Sequence, residues 1–169
     1  MGFLTSLLVL AVVVSGCSWL FGPSRPATAA EAERALAVAL AQVGKPYEWG
    51  ARGPDSFDCS GLITWAYRHA VVNLQLRDGW RSVDDGSMEV LYANSLTRTA
   101  PEPGDIVFLS DGTARVTHGG LFVRWVDGET LEFVNASSYF GQVVVDSWPL
   151  HREKRNQRFV AFGRLTLAR

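Results

Sequence analysis

The chain has 169 residues, of which 47% are hydrophobic and 20% are charged, and its formal net charge at pH 7 is -1. This length is typical of a single domain with one core. The near-zero charge argues against a nucleic-acid-binding protein that works by broad neutralisation of phosphates.

The N-terminal segment resembles an export signal. Residues 3–16 carry no charged side chain, and small residues at 15 and 16 precede Cys17. The pattern resembles a bacterial lipoprotein signal, in which residues 1–16 are removed and Cys17 becomes the lipidated first residue. No Lys or Arg precedes the apolar run, and an uncleaved membrane anchor of about twenty residues is the alternative. We expect a protein anchored by lipid in the cell envelope, on the periplasmic side of an outer membrane if the organism has two membranes.

The next segment leads into a first helix. Residues 17–29 are expected to be the lipidated cysteine and a tether, which Pro23 and Pro26 keep irregular. Thr28 and Glu31 have the spacing of a capping box, and the Ala- and Leu-rich run at 30–43 predicts a helix. The folded domain is therefore expected to cover residues 30–169.

A loop then leads into a second helix. Residues 45–57 contain Gly50, Gly53 and Pro54, so we expect an ordered loop there rather than a regular element. Asp58 is suited to be the N-cap of the helix that follows, because its carboxylate accepts the unpaired amides of the first turn. Cys59 falls in that turn.

The second half of the chain predicts strands. Residues 73–99 give a weak signal that fits one short helix at 88–94 and little else. Five segments rich in Val, Phe, Leu and Ile follow, at 105–109, 117–126, 130–135, 143–147 and 159–165. Asp127 and Gly128 form a hairpin turn between the second and third of these. Helices followed by strands with short turns predict an α+β domain in which N-terminal helices pack on a C-terminal antiparallel sheet.

Cys59 is the candidate nucleophile. If Cys17 carries a lipid, Cys59 is left as a free thiol in an exported protein, which suggests reactivity. The alternative is that Cys59 is a small buried hydrophobic residue. The start of a helix favours the first interpretation, because its amides lower a thiol pKa and can hold an oxyanion.

A thiol nucleophile needs a base, and the chain has three histidines. His69 lies ten residues along the helix of Cys59, and His151 lies among charged residues, as on a solvated surface. His118 begins an apolar strand and is the natural base. Asn135 ends the neighbouring strand, where its amide can orient the imidazole. Scattered histidines and one free cysteine give no metal-ligand spacing, so we expect no metal and no cofactor.

A family resemblance strengthens this hypothesis. Five blocks resemble the successive motifs of the NlpC-type cell-wall cysteine peptidases, and they lie at 44–50, 57–63, 103–108, 118–123 and 133–138. The resemblance covers about residues 32–166. It implies a papain-like fold and cleavage of peptidoglycan stem peptides, typically at the bond between γ-D-glutamyl and a diamino acid.

The resemblance also implies roles for individual residues. It makes Cys59 the nucleophile, His118 the base and Asn135 the third polar residue of the site. Tyr47, Asp58 and Ser60 match positions that line the site around the nucleophile; packing or helix capping is the alternative for Tyr47 and Ser60, and Asp58 can serve both as a cap and in the site.

The sequence departs from the family pattern at three places. Ala51 replaces a second glycine, Gly119 replaces the usual valine, and residues 76–83 replace a loop that shapes the cleft in many relatives. Two other functions stay open for that reason. One is a non-catalytic wall-binding lipoprotein of the same fold, and the other is a thiol amidase or acyltransferase acting on another acyl substrate. The sequence leaves the oligomeric state open.

Overall fold

The computed structural model describes residues 24–167. The predicted signal segment at 1–16 and the predicted lipid-attachment residue Cys17 lie outside the described residues. Within 24–167, no helix is long and apolar enough to cross a membrane.

The described residues form three helices and nine strands. The helices are α1 (Ala29–Leu40), α2 (Cys59–Ala70) and α3 (Met88–Ala93). The strands are β1 (Arg25–Pro26), β2 (Leu76–Asp78), β3 (Arg81–Val83), β4 (Ser95–Arg98), β5 (Ile106–Ser110), β6 (His118–Trp125), β7 (Thr130–Ser137), β8 (Gln142–Pro149) and β9 (Arg158–Leu167).

Seven of the strands form one antiparallel sheet. Its order is β1-β9-β5-β6-β7-β8, and β4 pairs with β9 as well. Strands β2 and β3 form a separate hairpin. Because the helices pack on this sheet and on each other, the predicted α+β arrangement is confirmed.

Helix α1 follows its sequence signals. The Thr28 hydroxyl accepts a hydrogen bond from the Glu31 amide at 3.2 Å, and the Glu31 carboxylate accepts one from the Thr28 amide at 2.8 Å, which completes the capping box. Its buried residues fall on one stripe, as expected for a helix packed on a core, and they are Ala32, Ala35, Leu36 and Ala39. The helix ends at Leu40, and residues 41–44 form turns.

The segment expected to be a tether belongs to the sheet from Arg25 onward. Arg25 and Pro26 pair with Leu167 and Thr166, and the Ala27 amide donates to the Leu165 carbonyl at 2.8 Å. The prediction of a tether was wrong for these residues because two residues carry no strand pattern of their own. Their conformation is determined by the partner strand β9.

The sheet has apolar residues on both faces. One face packs against α1 and α2 through Ile106, Phe108, Leu121 and Val134. The other face carries a second cluster, which includes Val107, Leu109, Phe122, Phe133 and Trp148. Because side chains alternate between faces along a strand, this two-sided burial explains why β5 is hydrophobic almost throughout.

A buried ion pair joins the start of β5 to β9. Asp105 is fully buried and accepts hydrogen bonds from Arg164 Nε and from the Glu102 amide, the latter at 2.8 Å. Arg164 also donates to the Ala27 carbonyl at 3.3 Å. The Tyr67 hydroxyl of α2 donates to the Gly104 carbonyl at 2.9 Å. The block at 103–108 therefore has a structural role in this chain.

Candidate active site

Cys59 lies at the first turn of α2 and is 9% exposed. It lines a cavity of about 610 Å³ together with Trp49, Arg52 and residues of α3. We call this space the Cys59 cavity. Asp58 and Ser60 also line it, so the structure brings the predicted nucleophile and two predicted substrate-binding residues together.

The loop before α2 packs tightly on its first turn. The Asp58 amide donates to the Ala51 carbonyl at 2.9 Å. A Cβ atom on Gly61 would lie 2.1 Å from that same carbonyl oxygen, so no residue larger than glycine fits at position 61. The Cys-Ser-Gly sequence thus fixes the loop against the helix start and holds Cys59 at the edge of the cavity.

The Asp58 and Ser60 side chains form hydrogen bonds at the start of α2 and with the loop before it. Asp58 Oδ1 accepts hydrogen bonds from the Gly61 amide at 2.6 Å, from Ser60 Oγ at 3.0 Å and from Arg52 Nη1 at 3.1 Å. Asp58 Oδ2 accepts from the Gly50 amide at 3.1 Å. Asp58 is therefore the N-cap that was predicted and also the anchor of the preceding loop.

Arg52 is a site residue that the sequence analysis missed. Its Nη1 donates to Ser60 Oγ at 2.7 Å, and its Nε lies 2.9 Å from Asp85 Oδ2. Asp85 follows the β2–β3 hairpin, so Arg52 connects the turn after that hairpin to the helix of Cys59. The only sequence signal for Arg52 was its position six residues before Asp58. The sequence did not reveal the partners of Arg52, because they depend on tertiary structure.

Burial decides the charge state of the thiol. Burial is the largest influence and the Asp58 carboxylate adds to it, the amides of Ser60 and Cys59 and the Arg52 guanidinium oppose them, and the net result is a Cys59 pKa raised to about 11. The expectation that the helix start gives a lowered thiol pKa is wrong, because desolvation outweighs the amides. At neutral pH the resting Cys59 is therefore a thiol, and its attack requires a base.

The Tyr47 phenol lies close enough to the Cys59 side chain for the two groups to influence each other's charge. Its side chain is half-buried, and its pKa is raised first by burial and then by the nearby acidic groups Cys59, in its ionised form, and Asp58. The phenol stays protonated at neutral pH and can donate a hydrogen bond. Its backbone amide donates to the Gly141 carbonyl at 2.9 Å, which ties this loop to the β7–β8 turn.

His118 and Asn135 form a hydrogen-bonded pair. His118 begins β6, Asn135 lies on β7, and His118 Nε2 is 3.1 Å from Asn135 Oδ1. Since the amide oxygen only accepts, Nε2 carries the proton in this arrangement and Nδ1 is free to act as a base. Burial lowers the pKa of His118, with opposing contributions from Asn135 and Asp146. The ring is therefore neutral at neutral pH.

The two halves of the predicted triad line different cavities. Thr117, the residue before His118, lines the Cys59 cavity. His118 and Asn135 line a second cavity of about 250 Å³. Thr117, just before β6, and His118, its first residue, thus line different spaces, and the pairing of Cys59 with His118 stays a prediction.

The remaining histidines take no part in this arrangement. His69 lies on α2, where its Nδ1 is 2.8 Å from the Trp65 carbonyl, and both His69 and His151 are exposed. Within residues 24–167, no cluster of three or more His, Cys, Asp or Glu side chains has the geometry to hold a metal ion.

Comparison with known proteins agrees with this geometry. The model of the NlpC/P60 family matches residues 44–162. A protein from Corynebacterium glutamicum (strain R) named "Probable endopeptidase" is 32% identical over 138 residues, which is 76% of this chain and 59% of that protein. The "Probable endopeptidase p60" of Listeria grayi is 29% identical over 131 residues, which is 76% of this chain and 22% of that protein.

A solved structure agrees as well. NlpC1 from Trichomonas vaginalis superposes with a TM-score of 0.58 at 26% identity, over 83% of this chain and 46% of that one. This likeness confirms the predicted NlpC-type fold. The chain spans 22% of the Listeria grayi protein, 59% of the Corynebacterium glutamicum protein and 46% of the Trichomonas vaginalis chain, less than two thirds in each case.

Proposed function

Because the chain belongs to the NlpC/P60 family, we propose that it is a cysteine peptidase that hydrolyses stem peptides of peptidoglycan. The observation that carries the proposal is the hydrogen bond between His118 and Asn135, which leaves one ring nitrogen as a base. Cys59 at the edge of its cavity supplies the nucleophile. Relatives named as probable endopeptidases support the same reaction class.

The chemistry follows from the charge states. His118, neutral at pH 7, takes the proton of the Cys59 thiol as the sulfur attacks the peptide carbonyl. The free amides at the start of α2 would hold the developing oxyanion. The imidazolium then gives its proton to the departing amine. The amide C–N bond breaks, and the acyl group stays on Cys59 as a thioester. Water, deprotonated by the same ring, hydrolyses the thioester and restores the thiol.

We propose the bond between γ-D-glutamyl and a diamino acid as the one that is cleaved. Purified sacculi provide the test, with the released fragments identified by mass. The intact protein should release fragments that carry a new amine on the diamino acid, and a Cys59→Ala variant should release none. Equal release by that variant would contradict the proposal, and no release by either protein would favour a non-catalytic wall-binding role.

We also propose that Cys17 carries a lipid and that the protein is held at a membrane of the cell envelope. In that case a Cys17→Ser variant expressed in bacteria should move from the membrane fraction to the soluble fraction. Retention of the variant in the membrane fraction would favour an uncleaved apolar anchor instead.

A further inference from the structure

Three neighbouring strands of the sheet each contribute one polar residue to the second cavity. His118 begins β6, Asn135 lies on β7 and Asp146 lies on β8. All three residues line this space, which we call the His118 cavity. Since β7 lies between β6 and β8 in the sheet, Asn135 stands between the proposed base and a carboxylate.

The register of the strands places the three residues on one face of the sheet. Asn135 pairs with Val144, so Asp146 is its diagonal neighbour, two residues further along β8. Residues two apart on a strand share a face, and the Cα atoms of such a diagonal pair lie about 7–8 Å apart. On the other side of β7, a Cβ atom on Gly120 would lie 2.8 Å from Asn135 Cβ. Gly120 is two residues after His118, so the ring and the amide share this face with Asp146.

The Asp146 carboxylate is buried and is held by two cations. Its side chain is 9% exposed, its Oδ1 lies 3.0 Å from Lys154 Nζ, and its Oδ2 accepts a hydrogen bond from Arg155 Nη1 at 2.5 Å. The Arg155 guanidinium in turn lies 4.3 Å from the ring centroid of Tyr139 and 4.5 Å from that of Phe140. These contacts give the carboxylate a defined position beside the cavity.

The two ends of the Asn135 amide have different surroundings. Its Oδ1 lies 3.1 Å from His118 Nε2, whereas its Nδ2 is inaccessible to solvent and has no hydrogen-bond partner among the described residues. Within residues 24–167, Asp146 is the one carboxylate that lines this cavity. A negative charge attracts the N–H end of an amide and repels its oxygen. Asp146 therefore favours the orientation of Asn135 that leaves Oδ1 for His118.

The same carboxylate also acts on the charge of the ring. Asp146 on β8 and Arg155 in the turn before β9 are the two charged residues that line the His118 cavity with the ring, and Tyr139 is the other titratable residue there. Burial lowers the pKa of His118, Asn135 and then Asp146 raise it, and Arg155 lowers it. A proton on the ring is thus favoured by the carboxylate and opposed by the guanidinium.

We propose that Asp146 is a positioning residue, the last member of a line that runs from His118 through Asn135 to a buried carboxylate. Through the Asn135 amide it selects the tautomer of the ring. By its charge it stabilises the imidazolium that forms when His118 takes the thiol proton. The inference rests on the proposed function, because that reaction is what places the proton on the ring.

Steady-state kinetics on a stem-peptide substrate test this role. Asp146→Asn removes the charge at nearly constant size, and kcat should fall by about tenfold, a part of the ~10²–10⁴ that a positioned general base contributes. The acid limb of kcat/KM should move to lower pH in Asp146→Asn, because the carboxylate raises the pKa of His118. In Arg155→Gln the limb should move to higher pH, because the guanidinium lowers that pKa.

Glu132→Gln is the matched control. Glu132 is a carboxylate of β7 that pairs with Arg124 at 2.9 Å and is not among the residues that line the His118 cavity, so its variant should keep the pH profile unaltered. A purely structural role of Asp146 would reduce activity without opposite shifts of the acid limb. Shifts in the same direction in Asp146→Asn and Arg155→Gln, or none in either, would overturn the proposal.

A titration by nuclear magnetic resonance separates this inference from the proposed function. In the Cys59→Ala variant, the midpoint of the His118 ring should be lowered by Asp146→Asn and raised by Arg155→Gln, and Asp146→Asn should reduce the fraction of the tautomer protonated at Nε2. If these changes are found but the unaltered protein cleaves no stem peptide, the hydrolytic function fails and the positioning role stands. If the unaltered protein cleaves the substrate but the ring titrates identically in all variants, the positioning role is wrong. Arg155→Gln keeps Asp146 in place, so an unaltered midpoint in that variant overturns the proposal even if Asp146→Asn does not fold.

Discussion

His118 Nε2 lies 3.1 Å from Asn135 Oδ1, across the neighbouring strands β6 and β7. This contact selects one tautomer of the ring and leaves Nδ1 without its proton. Asn135 is 1% exposed, so the contact is protected from competing water. The consequences of this arrangement can be measured.

Asn135→Ala should slow hydrolysis without unfolding the domain. We expect kcat to fall by about 10- to 100-fold, a part of the ~10²–10⁴ that a positioned general base contributes. Asn135→His should restore much of the loss, because a second imidazole can hold the His118 ring in the same orientation. Steady-state kinetics on a stem-peptide substrate measure both variants, and full activity of Asn135→Ala would show that the contact is not needed.

The pH dependence of kcat/KM should reveal the pKa of His118, the proposed base. Because burial lowers the pKa of His118 below its ordinary value of about 6.5, the ring stays neutral down to mildly acidic pH. The acid limb of kcat/KM should therefore have its midpoint below about pH 6.5. His151→Gln, which changes an exposed histidine, should leave the midpoint unaltered. A midpoint above pH 7 would contradict a buried, neutral base.

Asp58→Asn should make the thiol more reactive. Asparagine keeps the capping oxygen but removes the negative charge that raises the pKa of Cys59. The thiol pKa should fall, and the rate of alkylation by iodoacetamide between pH 8 and pH 9 should rise. Asp55→Asn, in an exposed part of the same loop, serves as the control. A slower or unchanged rate in Asp58→Asn would mean that Asp58 does not set the charge of the thiol.

The buried ion pair at the start of β5 should dominate stability. Arg164→Met leaves the Asp105 carboxylate buried without its main partner, and this should cost about 3–5 kcal/mol. The exposed pair of Arg158 with Glu153 should be worth at most about 1 kcal/mol, so Arg158→Met is the control. Urea unfolding measures both, and equal losses would show that Asp105 tolerates the change.

Local signals in the sequence were enough to place Cys59 at the first turn of a helix. Thr28 and Glu31 cap α1, and Asp58 caps α2, because each cap lies within three residues of the amides it satisfies. The strands of eight or more residues were predicted because their hydrophobic pattern is also local in the sequence. The positions of His118 and Asn135 on neighbouring predicted strands, together with the resemblance to a known family, then made them candidates for the site.

Short strands and long-range charges could not be predicted in this way. Strands β1 to β4 have two to four residues each, and their conformation depends on partners far along the chain. Arg52 becomes a site residue only when the loop folds onto Ser60 and Asp85. The raised pKa of Cys59 likewise depends on burial, which a helix-start argument omits.

One departure from the family pattern has a structural explanation. A Cβ atom at Gly119 would lie 2.5 Å from both the Val107 carbonyl oxygen of β5 and Met88 Cε of α3, so the backbone of β5 and the Met88 side chain leave no space for a valine. Met88 also lines the Cys59 cavity. The glycine after His118 is thus matched to the helix that forms one wall of the site.

We propose that Cys59 forms a covalent acyl intermediate with His118 as its base. The most direct measurement is the mass of the intact protein, and of its proteolytic fragments, after acid quenching during turnover of an activated stem-peptide ester. The account predicts an adduct of the acyl mass on the fragment that contains Cys59, and a much slower appearance of that adduct in His118→Gln. Turnover with an adduct on another residue, or unchanged turnover in Cys59→Ala, would contradict it.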